Sequence, residues 1–140
     1  MPIVKYILPL ILLCAVSCGS SGQLPVVKDV DPAGWFAPTP ISFDVNSLDR
    51  SVQMRVLLRT DSTFDADSVQ LMISTVAPNG VMWSEHFTIN MPQGSGSMGV
   101  AESLYRDNIR WSQTGEYRVI LQPQHTYQGI TAVGVSIIEK

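Results

Sequence analysis

The feature that most constrains the fold is the alternation of apolar and polar residues in five segments between residues 41 and 137. It is clear in residues 41–45 and 52–58, and it returns in residues 69–73, 117–121 and 133–137. Successive side chains of a β-strand point to opposite faces of the sheet, so each segment predicts a strand with one buried face. The chain therefore predicts an all-β domain.

The connections between these segments predict antiparallel pairing. Residues 78–80 read Pro-Asn-Gly, and Asn-Gly favours a hairpin between strands that end near Val76 and begin near Val81. A short helix is expected over residues 101–108, where apolar side chains share a face. Six to eight strands with one apolar face each predict a single antiparallel β-sandwich, immunoglobulin-like or jelly-roll-like, with a closed barrel as the alternative.

The first residues are typical of a lipoprotein signal peptide. Lys5 gives a positive flank, residues 3–16 are almost wholly apolar, and small residues surround Cys18. We expect cleavage before Cys18 and its lipidation, although Ala15 stands where leucine is usual. Ordinary secretion with a free thiol is the alternative. The expected domains are a signal peptide (1–17), a lipidated cysteine with a flexible tether (18–27) and a β-sandwich (28–140).

Composition excludes several classes of function. Both cysteines lie in or beside the leader, so no disulfide is expected in the mature domain. A formal net charge of −3 predicts no basic surface of the kind that binds nucleic acid. His86 and His125 are far apart in sequence and lack the spacing of a metal site. The glycine-rich run 94–99 matches a dinucleotide fingerprint in letters but not in context. We expect no metal, no cofactor and no enzymatic activity.

Four residues remain as candidates for binding. Trp35, Trp83 and Trp111 lie at predicted strand ends or in connections, where they could contact a partner protein or a glycan, or could plug the core. Glu85 interrupts the apolar register of its strand. Either a β-bulge turns it to solvent, or it is a buried carboxylate with a partner.

Together these features resemble the gliding-motility lipoprotein family GldH of the Bacteroidota. The resemblance runs from the signal peptide to the last residue. It rests on the Cys18 lipobox, Gly34-Trp35 before the strand at 40–43, the 78–80 hairpin, the glycine-rich run through Gly99, Gly115-Glu116-Tyr117 and the closing segment 134–140.

The resemblance implies a non-enzymatic accessory or assembly component of the gliding and type IX secretion machinery. Its partners would be the lipid bilayer, through acylated Cys18, and other envelope proteins of that machinery. With acylated Cys18, the protein is expected to be lipid-anchored in the cell envelope. The segment after Cys18 carries no acidic cluster, which favours a periplasm-facing orientation. A glycan-binding envelope lipoprotein is the alternative.

Overall fold

The computed structural model describes residues 23–91 and 99–139, which form two four-stranded antiparallel sheets packed face to face. This confirms the expected all-β sandwich. The strands are β1 (Gln23–Asp29), β2 (Thr39–Val45), β3 (Val52–Thr60), β4 (Ser68–Val76), β5 (Met82–Asn90), β6 (Gly99–Ile109), β7 (Gly115–Pro123) and β8 (Ile130–Glu139).

The strand order is that of a jelly roll. One sheet has the order β1-β8-β3-β6 and the other β2-β7-β4-β5, so only the β4–β5 connection joins neighbours within a sheet. Every other connection passes from one sheet to the other, as in an eight-stranded double Greek key. The sandwich is therefore jelly-roll-like, and its four edge strands are β1, β6, β2 and β5.

The core lies between the sheets and follows the alternation read from the sequence. β2, β3, β4 and β7 bury every second residue, and the side chains of Ile41, Val56, Ile73 and Val119 have no exposed surface. Burial of this apolar surface is the main stabilising term for such a fold. β8 lies inside its sheet and is buried on both faces over most of its length.

The predicted hairpin is confirmed. β4 pairs with β5 from Val76 opposite Met82 onward, and Gly80 adopts a positive φ of 91° in the turn between them. The Ala77 amide donates to the Val81 carbonyl at 2.9 Å, which closes the turn. Asn-Gly favours such a turn because both residues tolerate left-handed backbone conformations.

The helix expected over residues 101–108 is wrong, because this segment lies within β6 and pairs with β3. Arg55 pairs with Leu104 and Met54 with Arg106, so Tyr105 is an extra residue in β6. A bulge of this kind interrupts the period of two. Apolar Val100 and Leu104 also lie on the exposed face of β6, so apolar residues on both faces of the strand masked its period of two.

The N-terminal boundary also differs from the expectation. β1 begins at Gln23, so residues 23–27, which the sequence assigned to the tether, pair with β8 as an edge strand. Cys18, the signal peptide and residues 92–98 lie outside the described residues. Within residues 23–91 and 99–139, no helix has the length and apolarity needed to cross a bilayer.

Candidate functional site between β5 and β6

The two sheets are joined along one open side by side chains instead of backbone pairing. β5 and β6 are the edge strands there, and we call residues 81–90 and 99–109 the β5–β6 side. The Tyr105 hydroxyl donates to Glu85 Oε2 at 2.5 Å, and the Arg106 guanidinium donates to the same oxygen. Phe87 packs edge-on against the Tyr105 ring, with centroids 5.2 Å apart. A polar bridge and an aromatic pair thus tie the sheets together.

The bulge in β6 explains why two consecutive residues reach one carboxylate. In a regular strand, Tyr105 and Arg106 would point to opposite faces. The extra residue opposite Met54 changes that register, and the Arg106 guanidinium also lies 5.5 Å from the centroid of the Tyr105 ring. The irregular strand therefore concentrates a hydroxyl and a cation on Glu85.

The favoured expectation of a β-bulge at Glu85 is wrong. β5 pairs with β4 without a break from Asn90 to Met82, and the bulge lies in the facing strand β6. Glu85 keeps its inward position, with 34% of its side chain exposed, and has two partners. The alternative, a partnered carboxylate, describes its environment better.

The hydrogen bonds set the ionisation of this bridge. The Tyr105 hydroxyl, and then the Arg106 guanidinium, hold the pKa of Glu85 below its usual value against the opposing effect of burial. Burial, followed by the hydrogen bond to the Glu85 carboxylate, raises the pKa of Tyr105 well above its usual value. At neutral pH the bridge is a carboxylate held by a neutral phenol and a cation.

Replacement of Glu85 by glutamine should remove a pH-dependent part of the stability. Because the pKa of Glu85 is lowered by folding, its contribution is present above the unfolded pKa and is lost as pH falls through the folded value. We expect Glu85→Gln to lower the free energy of unfolding by about 1 kcal/mol at pH 7, after allowance for solvent screening. The stabilities of the variant and the wild type should converge as the pH falls below the lowered pKa of Glu85, as followed by urea unfolding.

Glu102→Gln is the matched control for that measurement. Glu102 lies on β6, across the sandwich edge from Glu85 on β5, and forms an ion pair with Arg55 at 3.5 Å, but its side chain is 45% exposed. Exposed pairs of this kind contribute about 0.5 kcal/mol or less. An equal loss in both variants would contradict a special role for the Glu85 bridge.

An apolar cavity of about 230 Å³ opens beside the bridge. Trp83 lies on the β5 wall, Tyr105 and Ile109 on the β6 wall, and Trp111 closes one end. A second cavity of about 320 Å³ shares Trp83, Ile109 and Trp111 with the first and extends to Arg110. The two cavities form one aromatic-lined groove along the β5–β6 side.

The three candidate tryptophans occupy different environments. Trp35 is 2% exposed, and its indole donates to Thr39 Oγ1 at 3.0 Å. Trp111 is 9% exposed and packs 4.5 Å from the Tyr117 ring at the opposite end of the core. Trp83 is 45% exposed. Trp35 and Trp111 are therefore core plugs, although Trp111 also borders the groove, and Trp83 alone of the three offers a free ring face.

Sequence reasoning missed most of the exposed apolar residues on this side. Val81, Met82, Val100 and Leu104 are each at least 43% exposed and lie on the same two edge strands or next to them. Tyr105 and Arg106 were missed as partners of Glu85, because their contact joins strands of different sheets. The long run of exposed or half-buried residues in β5 and β6 could have indicated edge strands.

The chemistry of the site is that of a binding surface. Aromatic and aliphatic side chains surround a groove, and two of its lining residues, Tyr105 and Arg106, also hold the Glu85 carboxylate. The part of the chain that the structure describes holds no group of three or more histidine, cysteine, aspartate or glutamate residues that could bind a metal ion. The fold and the site together define a jelly-roll domain with an apolar groove along one open edge.

Comparison with known proteins adds two partial similarities. No family model matches the chain. A stretch of 68 residues is 37% identical to an S-layer protein of Methanococcus voltae, covering 49% of this chain and 10% of that protein. A solved structure of infectious bursal disease virus Gt strain is similar over 86% of this chain and 30% of the viral chain. The two sequences are 12% identical, and the TM-score is 0.39. The chain spans less than a third of either protein's length.

Proposed function

We propose that this protein is a non-enzymatic lipoprotein, anchored in the cell envelope through Cys18, that binds a partner protein through its β5–β6 side. The partner would belong to the gliding motility and type IX secretion machinery, with this protein as an accessory or assembly component. The observation that supports binding is the apolar groove lined by the exposed ring of Trp83, with exposed Val81 and Met82 beside it. Clustered apolar surface of this kind is typical of interaction sites.

A lipid anchor would make a modest interface sufficient. Acylation confines a domain to a thin layer beside the membrane, and confinement raises the effective concentration of partners in that layer. The groove and the ring of Trp83 offer an interface of limited size. Such an interface suits an accessory protein that acts close to its partners.

Glycan binding is the second candidate, and it rests on the same groove. The rings of Trp83 and Trp111 both line it, and the face of Trp83 is accessible. Exposed indole faces combine a large apolar surface with a polar edge, which suits contact with sugar rings. The observed burial of Trp35 leaves this function with fewer platforms than the sequence suggested.

Deletion of the chromosomal gene should abolish colony spreading, reduce secretion of proteins with type IX signals, or do both. Complementation with the wild-type gene should restore spreading and secretion in the deletion strain. Complementation with the Trp83→Ala gene should restore them only weakly, because the exposed part of the groove is lost. Spreading diameter and the secreted protein profile are the measurements.

The matched control is Phe36→Ala, which removes an aromatic ring that is 67% exposed but lies outside the groove. This variant should complement as well as the wild type. Normal spreading together with normal secretion in the deletion strain would contradict the proposed function.

A further inference from the structure

β5 differs from the other three edge strands because it has neither a proline nor a register shift, and its inward-pointing charge, Glu85, is paired with Arg106. β1 contains Pro25, β2 contains Pro40, and β6 is interrupted by register shifts. Proline and bulges are the usual means of blocking edge-to-edge pairing. β5 is nine residues long, contains no proline and keeps a regular register with β4.

The groove lies directly beside this free edge. Trp83 belongs to β5 and lines both cavities, so a strand added to β5 would run along the groove. The inner cavity measures about 230 Å³, whereas an engineered protein cavity of about 150 Å³ holds benzene. An aromatic side chain of the added strand would therefore fit between the rings of Trp83 and Trp111.

The charges beside the groove favour an acidic neighbour for that aromatic side chain. Arg106 is held by Glu85, but Arg110 is exposed at the second cavity and forms no ion pair with any residue in 23–91 or 99–139. A carboxylate on the partner would complement Arg110. A second copy of β5 would not supply one, because the only carboxylate of β5 is Glu85, which is already bonded to Arg106.

We propose that β5 binds an extended segment of a partner protein by strand addition. The segment places an aromatic side chain in the groove beside Trp83 and an acidic side chain against Arg110. Main-chain hydrogen bonds to β5 supply affinity, and the groove and Arg110 supply specificity. This inference deepens the proposed function, since it names the chemistry of the partner at the same site.

Synthetic peptides test this proposal with the purified full chain. The probe is an acetylated nine-residue peptide of alternating threonine and valine that carries phenylalanine and, two positions further on, aspartate on the same face. Isothermal titration calorimetry should detect binding. Replacement of the peptide's phenylalanine by alanine should weaken binding about tenfold, and Trp83→Ala in the protein should have a similar effect.

Arg110→Gln tests the charge contact. The substitution should weaken binding of the peptide that carries aspartate about fivefold. Binding of a control peptide with asparagine in place of aspartate should be unchanged, as expected for a direct charge pair. Phe36→Ala is the control for loss of an exposed ring and should bind like the wild type. Chitooligosaccharides are the second probe. Their addition should leave the tryptophan fluorescence of the protein unchanged.

Three results would overturn the inference. They are no peptide binding at millimolar concentration, binding that does not respond to Trp83→Ala, and a saturable response to the oligosaccharide at Trp83, which would assign the groove to glycans. The test of the proposed role in gliding and secretion gives a result that can be distinguished from these. A deletion strain with normal spreading and secretion alongside peptide binding would contradict the function alone, whereas a defective deletion strain without peptide binding would contradict the strand addition alone.

Discussion

Replacement of Gly129 by alanine is expected to cost this protein at least about 3 kcal/mol of its free energy of unfolding. Gly129 has a φ of +90°, a conformation that residues with a Cβ rarely adopt. A Cβ added there would lie 2.5 Å from the amide nitrogen and 2.6 Å from the Cα of Phe64. Both are backbone atoms, so the clash cannot be relieved by a side-chain rotation.

The surroundings of Gly129 show why the backbone cannot move aside cheaply. Its amide donates to the Pro32 carbonyl at 2.8 Å, and its carbonyl accepts from the Asp61 amide at 2.8 Å. Phe64 is only 1% exposed, so moving it away from Gly129 would disturb the core. The substitution therefore breaks either the hydrogen bonds between three connections or the packing of Phe64.

Gly80→Ala is the control that separates backbone strain from the clash. Gly80 has nearly the same φ, +91°, but nothing lies within 4 Å of an added Cβ. We expect Gly80→Ala to lower the free energy of unfolding by only about 1 kcal/mol, which is the cost of placing alanine in the left-handed conformation. Urea unfolding of both variants gives the comparison, and equal losses would show that the contact with Phe64 is unimportant.

Replacement of Cys18 by alanine is expected to remove the protein from the membrane fraction. In the proposed lipoprotein, acylation would take place on the Cys18 thiol, so the variant would have no acceptor for the lipid. The wild type should incorporate labelled palmitate and partition into the detergent phase of Triton X-114. The variant should incorporate no label and should be released or mislocalised.

Cys14→Ala is the matched control, because Cys14 lies in the same leader but inside its apolar stretch. This variant should be labelled and anchored like the wild type. If palmitate labelling persisted in Cys18→Ala but was lost in Cys14→Ala, the acylated residue would be Cys14 instead of Cys18. Unchanged membrane association of Cys18→Ala would contradict lipid anchoring through this residue.

The sequence predicted the parts of this fold that depend on local pattern. Segments such as 52–58 and 117–121 alternate because one face of each strand is buried, and the hairpin at 78–80 depends on the conformations that Asn and Gly tolerate. These are short-range properties, so one sequence is enough to show them. The choice between an immunoglobulin-like and a jelly-roll-like order depends on long-range pairing and stayed open.

The candidate site was harder to predict, because its residues come together across two sheets. Glu85 stood out as a charge in an apolar register, but its partners Tyr105 and Arg106 lie in a bulged strand that the pattern assigned to a helix. The three tryptophans looked equivalent in the sequence. Their burial differs because Trp35 and Trp111 lie at the closed ends of the core, whereas Trp83 lies on an edge strand.

The pairing of β1 with β8 has a consequence for the order in which the domain folds. The two strands are matched along the whole of β1, from Gln23 opposite Ile138 to Asp29 opposite Ala132. In a chain that becomes available from its N-terminal side, β1 would therefore stay unpaired until β8 is available. Such non-local pairing makes folding slow and leaves apolar strands exposed meanwhile. The sheet that contains β1 can therefore be completed only once β8 is available to pair with it.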